Sequence, residues 1–580
     1  MTVTAGSEVS GPAGPGAGAR RRPPWWLLLL VGWLAQVGVR VWLAAGQTIP
    51  VANPDESGYL FTARLLTGGP EADISNSTPY RGGYPLLILP AQWLSDDPET
   101  VYRIVMVVNA LVAACLLPLA HRLLRGLGLA QGPSYALAHV TALLPAAVFY
   151  TQYALTDAVF PVVVMGWLLL MHSWLVGDAS RARVIAYGLG ASGVAAYTYA
   201  LHSRGVVILA VHVGLLLFAA WRRWRPWTSA VLGVGVAGAV AGAASVLNGW
   251  IVERLYTGGT YDMGSMVVDR LTGLDGYGWT LPVGLGQIWY MIIGTWGVGG
   301  IGLVAVSTAL ARRDVPARVR ALAAGLLVIV VGIAFSAAAA LPDEQRIGNH
   351  AYSRYLACVA PVFFAVGAWA LLRSPRKAVL RAAAVTGAAV LAGAALIEVN
   401  VGDELDGYAF TLFDFPELTF LTWDWDSFHL WRAALVALAL LGVVLVLGRY
   451  APVALVAFLL AVNTVADVTA ATRISRPFVD DRMAAADLRG VLEPGRQTVA
   501  IDRRVDWEIW IIQLHQVWWS KVLRFDSRKR QQPPPEADLV LVAWNEGLAA
   551  EATWRNAPPG WRVVRTRRHP LGSWVAWRRP

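Results

Sequence analysis

Apolar runs of about 20 residues recur from Trp25 to near Ala470, separated by short polar breaks rich in glycine and proline. As a helix, each run is long enough to cross ~30 Å of hydrocarbon. Thirteen spans are predicted, over about 24–46, 100–121, 133–150, 157–176, 184–202, 205–221, 228–250, 286–310, 319–341, 352–372, 379–399, 428–448 and 451–471. The first follows Arg20, Arg21 and Arg22, as a signal peptide would. Its apolar stretch is too long for one, and no clean cleavage pattern follows. Residues 1–23 read as a disordered cytoplasmic leader. Beyond 475 the pattern changes to short runs: strands at 498–502, 522–525 and 539–542, a Trp-rich helix at 507–519, and a closing strand pair at 561–565 and 574–577. The fold class expected is an all-α polytopic membrane protein over 24–474 with a small α/β domain over 475–580. No repeat or coiled coil is evident.

Composition agrees. Of 580 residues, 56% are hydrophobic and only 15% charged, with mean hydropathy +0.49, which excludes a soluble enzyme of this length. Both cysteines, Cys115 and Cys358, fall in apolar runs, so neither a disulfide framework nor a cysteine metal site is expected. The net charge of +10 and pI near 9.7 would suit a nucleic-acid partner, but the distribution argues otherwise. With the N-terminus in the cytoplasm, the inner face carries 19 Lys and Arg against 3 acids, and the outer loops 10 against 23. That is the positive-inside bias of a multi-pass plasma-membrane protein. An odd span count then places the C-terminal domain outside the cytoplasm, and no nucleic acid is expected as a partner.

Charged groups near a bilayer are costly and tend to be functional. The long outer loop 47–100 carries Asn53-Pro54-Asp55-Glu56-Ser57-Gly58-Tyr59, with Asp55 opening a short helix. Asp157 stands in a very short outer turn before the fourth span. Spacing does not separate a helix cap from a reactive carboxylate at either position. Three arginines lie at the same level: Arg81 in the segment from Pro79 to Pro85, which also holds Tyr84; Arg204 in His202-Ser203-Arg204-Gly205; and Arg354, beside Tyr355 and preceded by His350. Each could snorkel to the interface. Together they suit an outward-facing site for a lipid phosphate, because guanidinium binds phosphate through paired hydrogen bonds.

On these residues the chain resembles the type-C glycosyltransferase superfamily, whose members take sugars from polyprenyl phosphates. Relatives include protein O-mannosyltransferases, lipid A aminoarabinose transferases and actinobacterial arabinosyltransferases. The resemblance covers roughly 25–475. It rests on Asp55-Glu56 in the first outer loop, the GYPLL segment Gly83–Leu87, Asp157 before span four, and Arg354-Tyr355 entering a late span. It implies a transferase passing a sugar from a polyprenyl-phosphate donor to an envelope glycan, lipid or protein acceptor. Asp55 would be the general base of an inverting displacement, with Glu56 and Asp157 as its acidic neighbours. Arg81, Tyr84, Arg204, His350, Arg354 and Tyr355 would face the donor phosphate.

Other features carry less. Asp157 could join Asp55 around a divalent cation, but no spacing specifies a metal. Asp424-Trp425-Asp426 has the form of a nucleotide-sugar metal motif, yet it lies in an acidic outer loop and reads as solvated. Asn76-Ser77-Thr78 fits a glycosylation acceptor pattern that is common by chance. Trp507, Trp510, Trp518 and Trp519 recur partly at helical spacing, as core residues do. The rival class is a polyprenyl-lipid flippase or transporter, which would place charges at mid-membrane and show paired half-repeats. A ligase using a diphosphate-linked donor would need a deeper basic site.

Overall fold

The computed structural model describes residues 24–580 except 76, 178, 179, 262, 489, 492–496, 517, 518 and 546. The leader expected over 1–23, Asn76 of the glycosylation pattern and Trp518 of the tail lie outside the described residues. All thirteen predicted spans fall on apolar helices, but they are not thirteen equal crossings. Among the described residues, 8 helices are long and apolar enough to cross a membrane, or 10 if each of two bent pairs is one span. The other three segments are the shorter helices Phe160–Leu175, Gly205–Trp221 and Ala360–Arg373.

The bends have local causes. The segment expected at 133–150 is Gln131–Ala142 followed by Pro145–Gln152, turned by 69°. Pro145 keeps the residue before it out of helical conformation, and Leu144 is accordingly extended. The segment expected at 286–310 begins earlier, as Leu274–Ile293, and turns by 114° into Val298–Ala311. The preceding stretch, read as loop, contains a further helix, Met263–Thr272, with no buried residue. It was missed because a wholly surface-lying helix leaves no long apolar run.

Helix α1 (Trp25–Leu43) leads into the loop that matters most. There, α2 (Asp55–Leu66) is buried on nearly every side, and α3 (Gly83–Leu94) packs back against it. The tail forms a five-stranded sheet of β1 (Thr498–Asp502), β2 (Lys521–Phe525), β3 (Leu539–Ala543), β4 (Arg562–Arg567) and β5 (Trp574–Arg578). The strand order is β2-β1-β3-β5-β4: β1 pairs parallel with β2 and β3, while β5 pairs antiparallel with β3 and β4. Alternate residues of β3 and β5 face two separate apolar clusters, which is why these short strands were legible as apolar runs. The sheet is seated on the α2–α3 loop, where Ala72 bridges to Val522. The tail and the loop bearing Asp55 therefore share one face of the molecule.

Candidate active site

Four charged residues from four distant segments meet beside the start of α2. Neither acid caps its helix: no side-chain cap bond forms at the start of α2 or of the 3-10 turn Thr156–Ala158. Asp157 instead accepts from two guanidiniums, Arg204 Nη2 to Oδ1 at 2.6 Å and Arg354 Nε to Oδ2 at 2.7 Å. Arg354 Nη1 then reaches Asp55 Oδ2, and Tyr80 Oη donates to Asp55 Oδ1 at 2.7 Å. The result is an alternating chain, Asp55–Arg354–Asp157–Arg204.

Exposure falls along this chain. The Asp55 side chain is 27% exposed, Arg354 10%, Arg204 4% and Asp157 1%. A buried carboxylate would ordinarily be driven to protonate. Burial does push Asp157 upward, but Arg204 and Arg354 outweigh it and hold the group below the usual carboxylate range. Asp157 is thus a fixed anion that orients two cations, and Asp55 is the member open to an incoming molecule.

Arg204 is committed to this scaffold. Nη1 donates to the carbonyls of Arg354 and Tyr355 at 3.0 and 3.1 Å, and Nε points to His202 Nδ1 at 3.3 Å. His202 is held neutral, well below its ordinary value, by burial and by the neighbouring arginines. With Nδ1 accepting, the ring proton belongs on Nε2. Arg354 is less committed: among the described residues its Nη2 meets no acceptor.

The remaining predicted residues divide. Tyr355 belongs to the site, with the Arg204 guanidinium 5.9 Å from its ring centre. Glu56 does not. Although adjacent to Asp55, it turns into the protein, fully buried, and accepts from Val51 N, Ala52 N, Ala154 N and Tyr102 Oη. It ties the loop to the segment before span four, because successive side chains on a helix point about 100° apart. Tyr84 is likewise buried, donating to Asn109 Oδ1 at 2.9 Å, and it packs on Tyr59, which in turn packs on Tyr80. Arg81 lies over the Tyr199 ring at 4.2 Å and donates to the Tyr199 carbonyl, outside the four-charge chain. His350 sits between Trp279 and Tyr408, with Asn400 Nδ2 3.3 Å from its Nδ1.

Sequence reasoning missed a supporting layer. Arg346 Nη2 donates to Asp414 Oδ2 at 3.1 Å, and Ser353 Oγ donates to Glu417 Oε2 at 2.7 Å. Asp414 and Glu417 are buried within the loop read as acidic and solvated. Burial raises them to about 6 and about 7, with Arg346 partly offsetting the effect at Asp414 and Ser353 at Glu417. The Phe413–Phe415 aromatics flanking Asp414 were the available signal that this stretch turns inward. Asp424 behaves as expected of a loop residue, accepting from the Asp426 and Ser427 amides at 2.8 and 3.2 Å.

As for metal, the two acids proposed to share a cation hold the Arg354 guanidinium between them. Among the described residues no three His, Cys, Asp or Glu side chains gather as a metal site.

No protein-family model matches the sequence, and no curated protein matches it significantly. The architecture is nevertheless that of known structures. ArnT from Cupriavidus metallidurans bound to undecaprenyl phosphate matches with TM-score 0.53 and 15% identity, covering 95% of this chain and 98% of that one. The apo state of the same protein matches with TM-score 0.53 and 14% identity, covering 95% and 97%. A more distant likeness, TM-score 0.43 at 11% identity, links 88% of this chain to 69% of an oligosaccharyltransferase from Archaeoglobus fulgidus. The near-complete mutual coverage with ArnT takes in both the helical part and the tail, and this multi-pass chain shares the fold of that structure.

Proposed function

We propose that the chain is an integral-membrane glycosyltransferase that moves a sugar from a polyprenyl-phosphate donor to an envelope glycan, lipid or protein acceptor. The observation that carries the reading is the Asp55 carboxylate: the Arg354 guanidinium and the Tyr80 hydroxyl hold it, and it is the one member of the buried charge chain that opens to the surface. The undecaprenyl phosphate bound by the ArnT structure of like fold supports a polyprenyl-phosphate donor. The distribution of Lys and Arg supports a cytoplasmic N-terminus, with loop 47–100 and the tail facing outward at the plasma membrane.

In this reaction an acceptor hydroxyl gives its proton to Asp55 as its oxygen bonds the anomeric carbon. The bond from that carbon to the phosphate oxygen breaks on the opposite face, and polyprenyl phosphate leaves with the electron pair. Inversion follows from the single displacement. No acid is required, because phosphate leaves unprotonated. Arg354, through its unengaged Nη2, stabilises the charge developing on the phosphate. Arg346, paired through Nη2 with Asp414 and with its buried Nε meeting no acceptor among the described residues, stands beside Tyr352 and Tyr355. Asp157 and Arg204 position Arg354 and touch no substrate. A phosphate placed here shares the Arg354 guanidinium with Asp55, which brings donor and base to one cation.

The test is turnover of polyprenyl-phosphate sugars by the protein in lipid, read as free polyprenyl phosphate and extended acceptor. Asp55→Asn should lower turnover by about 100-fold or more, the scale of a lost general base, with donor binding and thermal unfolding retained. Full turnover in the mutant would refute Asp55 as the base. Donor binding without release of polyprenyl phosphate, across a broad acceptor panel, would favour a flippase.

A further inference from the structure

The tail's sheet has an end that the reaction above does not use. From β1 the chain runs through the Trp507–Gln516 helix to β2 on one side, whereas from β3 it runs to β4 and β5 on the other. Where outgoing connections part in this way, a crevice opens beyond the carboxyl ends of the two strands, and α/β sheets bind ligands there. In this chain that switch point lies between Asp502–Arg504 and Ala543–Asn545.

Two guanidiniums converge at that point. Arg504 Nη2 donates to Asn545 Oδ1 at 2.8 Å. Arg568 lies 3.5 Å over the Trp544 ring, with its N–H groups 3.4 Å from the Asn545 and Leu548 carbonyls. Both arginines are exposed; the Arg504 backbone amide donates to Asp502 Oδ1 at 3.2 Å, but among the described residues neither guanidinium pairs with a carboxylate. An amide, an indole face and backbone carbonyls therefore fix their positions, and no described carboxylate neutralises either charge. Arg503 and Arg528 are exposed alongside, and among the described residues of this group only the Arg528 guanidinium has a carboxylate in ion-pair reach, Asp526 at 3.6 Å. The acids at this end are engaged locally: buried Asp502 accepts Ser527 Oγ at 2.6 Å, and Asp506 accepts the Glu508 amide at 2.9 Å.

A fixed, planar, unpaired guanidinium recognises carboxylate or phosphate oxygens in pairs. Several of them in a row suit an extended anion better than a single ion. The tail shares a face with Asp55, since β2 is bridged to Ala72 of the same loop. We propose that the β1–β3 crevice binds an acidic glycan, a saccharide chain bearing carboxylate or phosphate groups, and that this glycan is the acceptor. The acceptor role rests on the transferase reading; the binding site does not.

The experiment uses full-length protein in phosphatidylcholine nanodiscs and a fluorescent oligogalacturonate of six sugars, with maltohexaose as the neutral counterpart. Oligogalacturonate should bind and weaken as salt rises, since exposed charges are screened, and maltohexaose should not bind. The double variant Arg504→Glu, Arg568→Glu should lose at least tenfold in affinity. Arg562→Glu, an exposed residue at the opposite end of the sheet, should change it less than twofold. Equal binding by the double variant, equal loss in Arg562→Glu, or equal binding of maltohexaose would overturn the site. So would absence of oligogalacturonate binding with capture of the wild type, and not the double variant, on phosphatidylglycerol vesicles. Binding is read without turnover, so Asp55→Asn should keep it even where the reading of Asp55 fails. In turnover, the double variant should raise the acceptor KM with kcat retained; an unchanged KM would remove the acceptor role.

Discussion

Adjacent carboxylates in this chain face opposite ways, and an acid-to-amide exchange at each tells their roles apart. Glu56 is fully buried, and its two oxygens accept from three amides and a phenol. Glu56→Gln would aim an NH2 group at one pair of those donors and leave them unsatisfied, a loss of about 1–3 kcal/mol for each buried group. Its unfolding temperature should fall by several degrees in a thermal scan, while turnover per folded molecule stays near wild type. Asp55→Asn should show the converse: little thermal change and a large loss of turnover. A catalytic Glu56 would instead lose turnover with its fold intact. From sequence the pair was legible as a candidate but not as two roles, since the register of α2 is what turns one side chain outward and its neighbour in.

At the scale of elements, the site depends on how short connections bring four segments together. Arg204 sits in the tight turn after the helix Arg181–Leu201, and a Cβ on the next residue, Gly205, would come within 2.0 Å of the Thr198 carbonyl oxygen. That oxygen belongs to backbone and cannot move aside, so Gly205→Ala should destabilise by about 3 kcal/mol and show as low yield of folded protein. Gly58 presents a softer case. Its Cβ would lie 2.0 Å from the Tyr80 ring, a side chain that can swing away. Gly58→Ala should therefore fold, but with Tyr80 withdrawn from Asp55 and turnover reduced about tenfold, an effect that Tyr80→Phe should reproduce and that adding Gly58→Ala to it should not deepen. Outright additivity of the two would show that Gly58 acts elsewhere. These connections also mark where sequence reading stopped. Apolar length predicts helices well, so the spans and even the tail strands were legible. Which turns face each other is decided by packing, and Arg346, Asp414 and Glu417, 68 and 64 residues from their partners, carry no local signal.

For the molecule as a whole, the buried acids set how stability depends on pH. Glu417 and Asp414 have folded values raised to about 7 and about 6, so the folded state holds their protons more tightly than the unfolded chain does. Their contribution is intact at low pH and is lost as pH rises from the ordinary carboxylate range through those values. Asp157 acts in the opposite sense. Its folded value is depressed, so its contribution is complete above the ordinary carboxylate range and is lost as pH falls below it. The unfolding temperature in detergent should then peak near pH 5, fall steeply on the acid side and decline more gently toward pH 8. Glu417→Gln isolates one limb: its amide oxygen can still accept from Ser353, but it has no proton to lose. The variant should match wild type near pH 5 and exceed it at pH 8, flattening the alkaline limb while leaving the acid limb alone. Asp157→Asn should be less stable at every pH above 5, because it leaves Arg204 and Arg354 buried with a neutral partner. A wild-type unfolding temperature that rises from pH 5 to pH 8, or an alkaline limb unchanged by Glu417→Gln, would show that these two carboxyls are solvated and that the strap they form behind Ser353 and Arg346 does not hold the arginine wall in place.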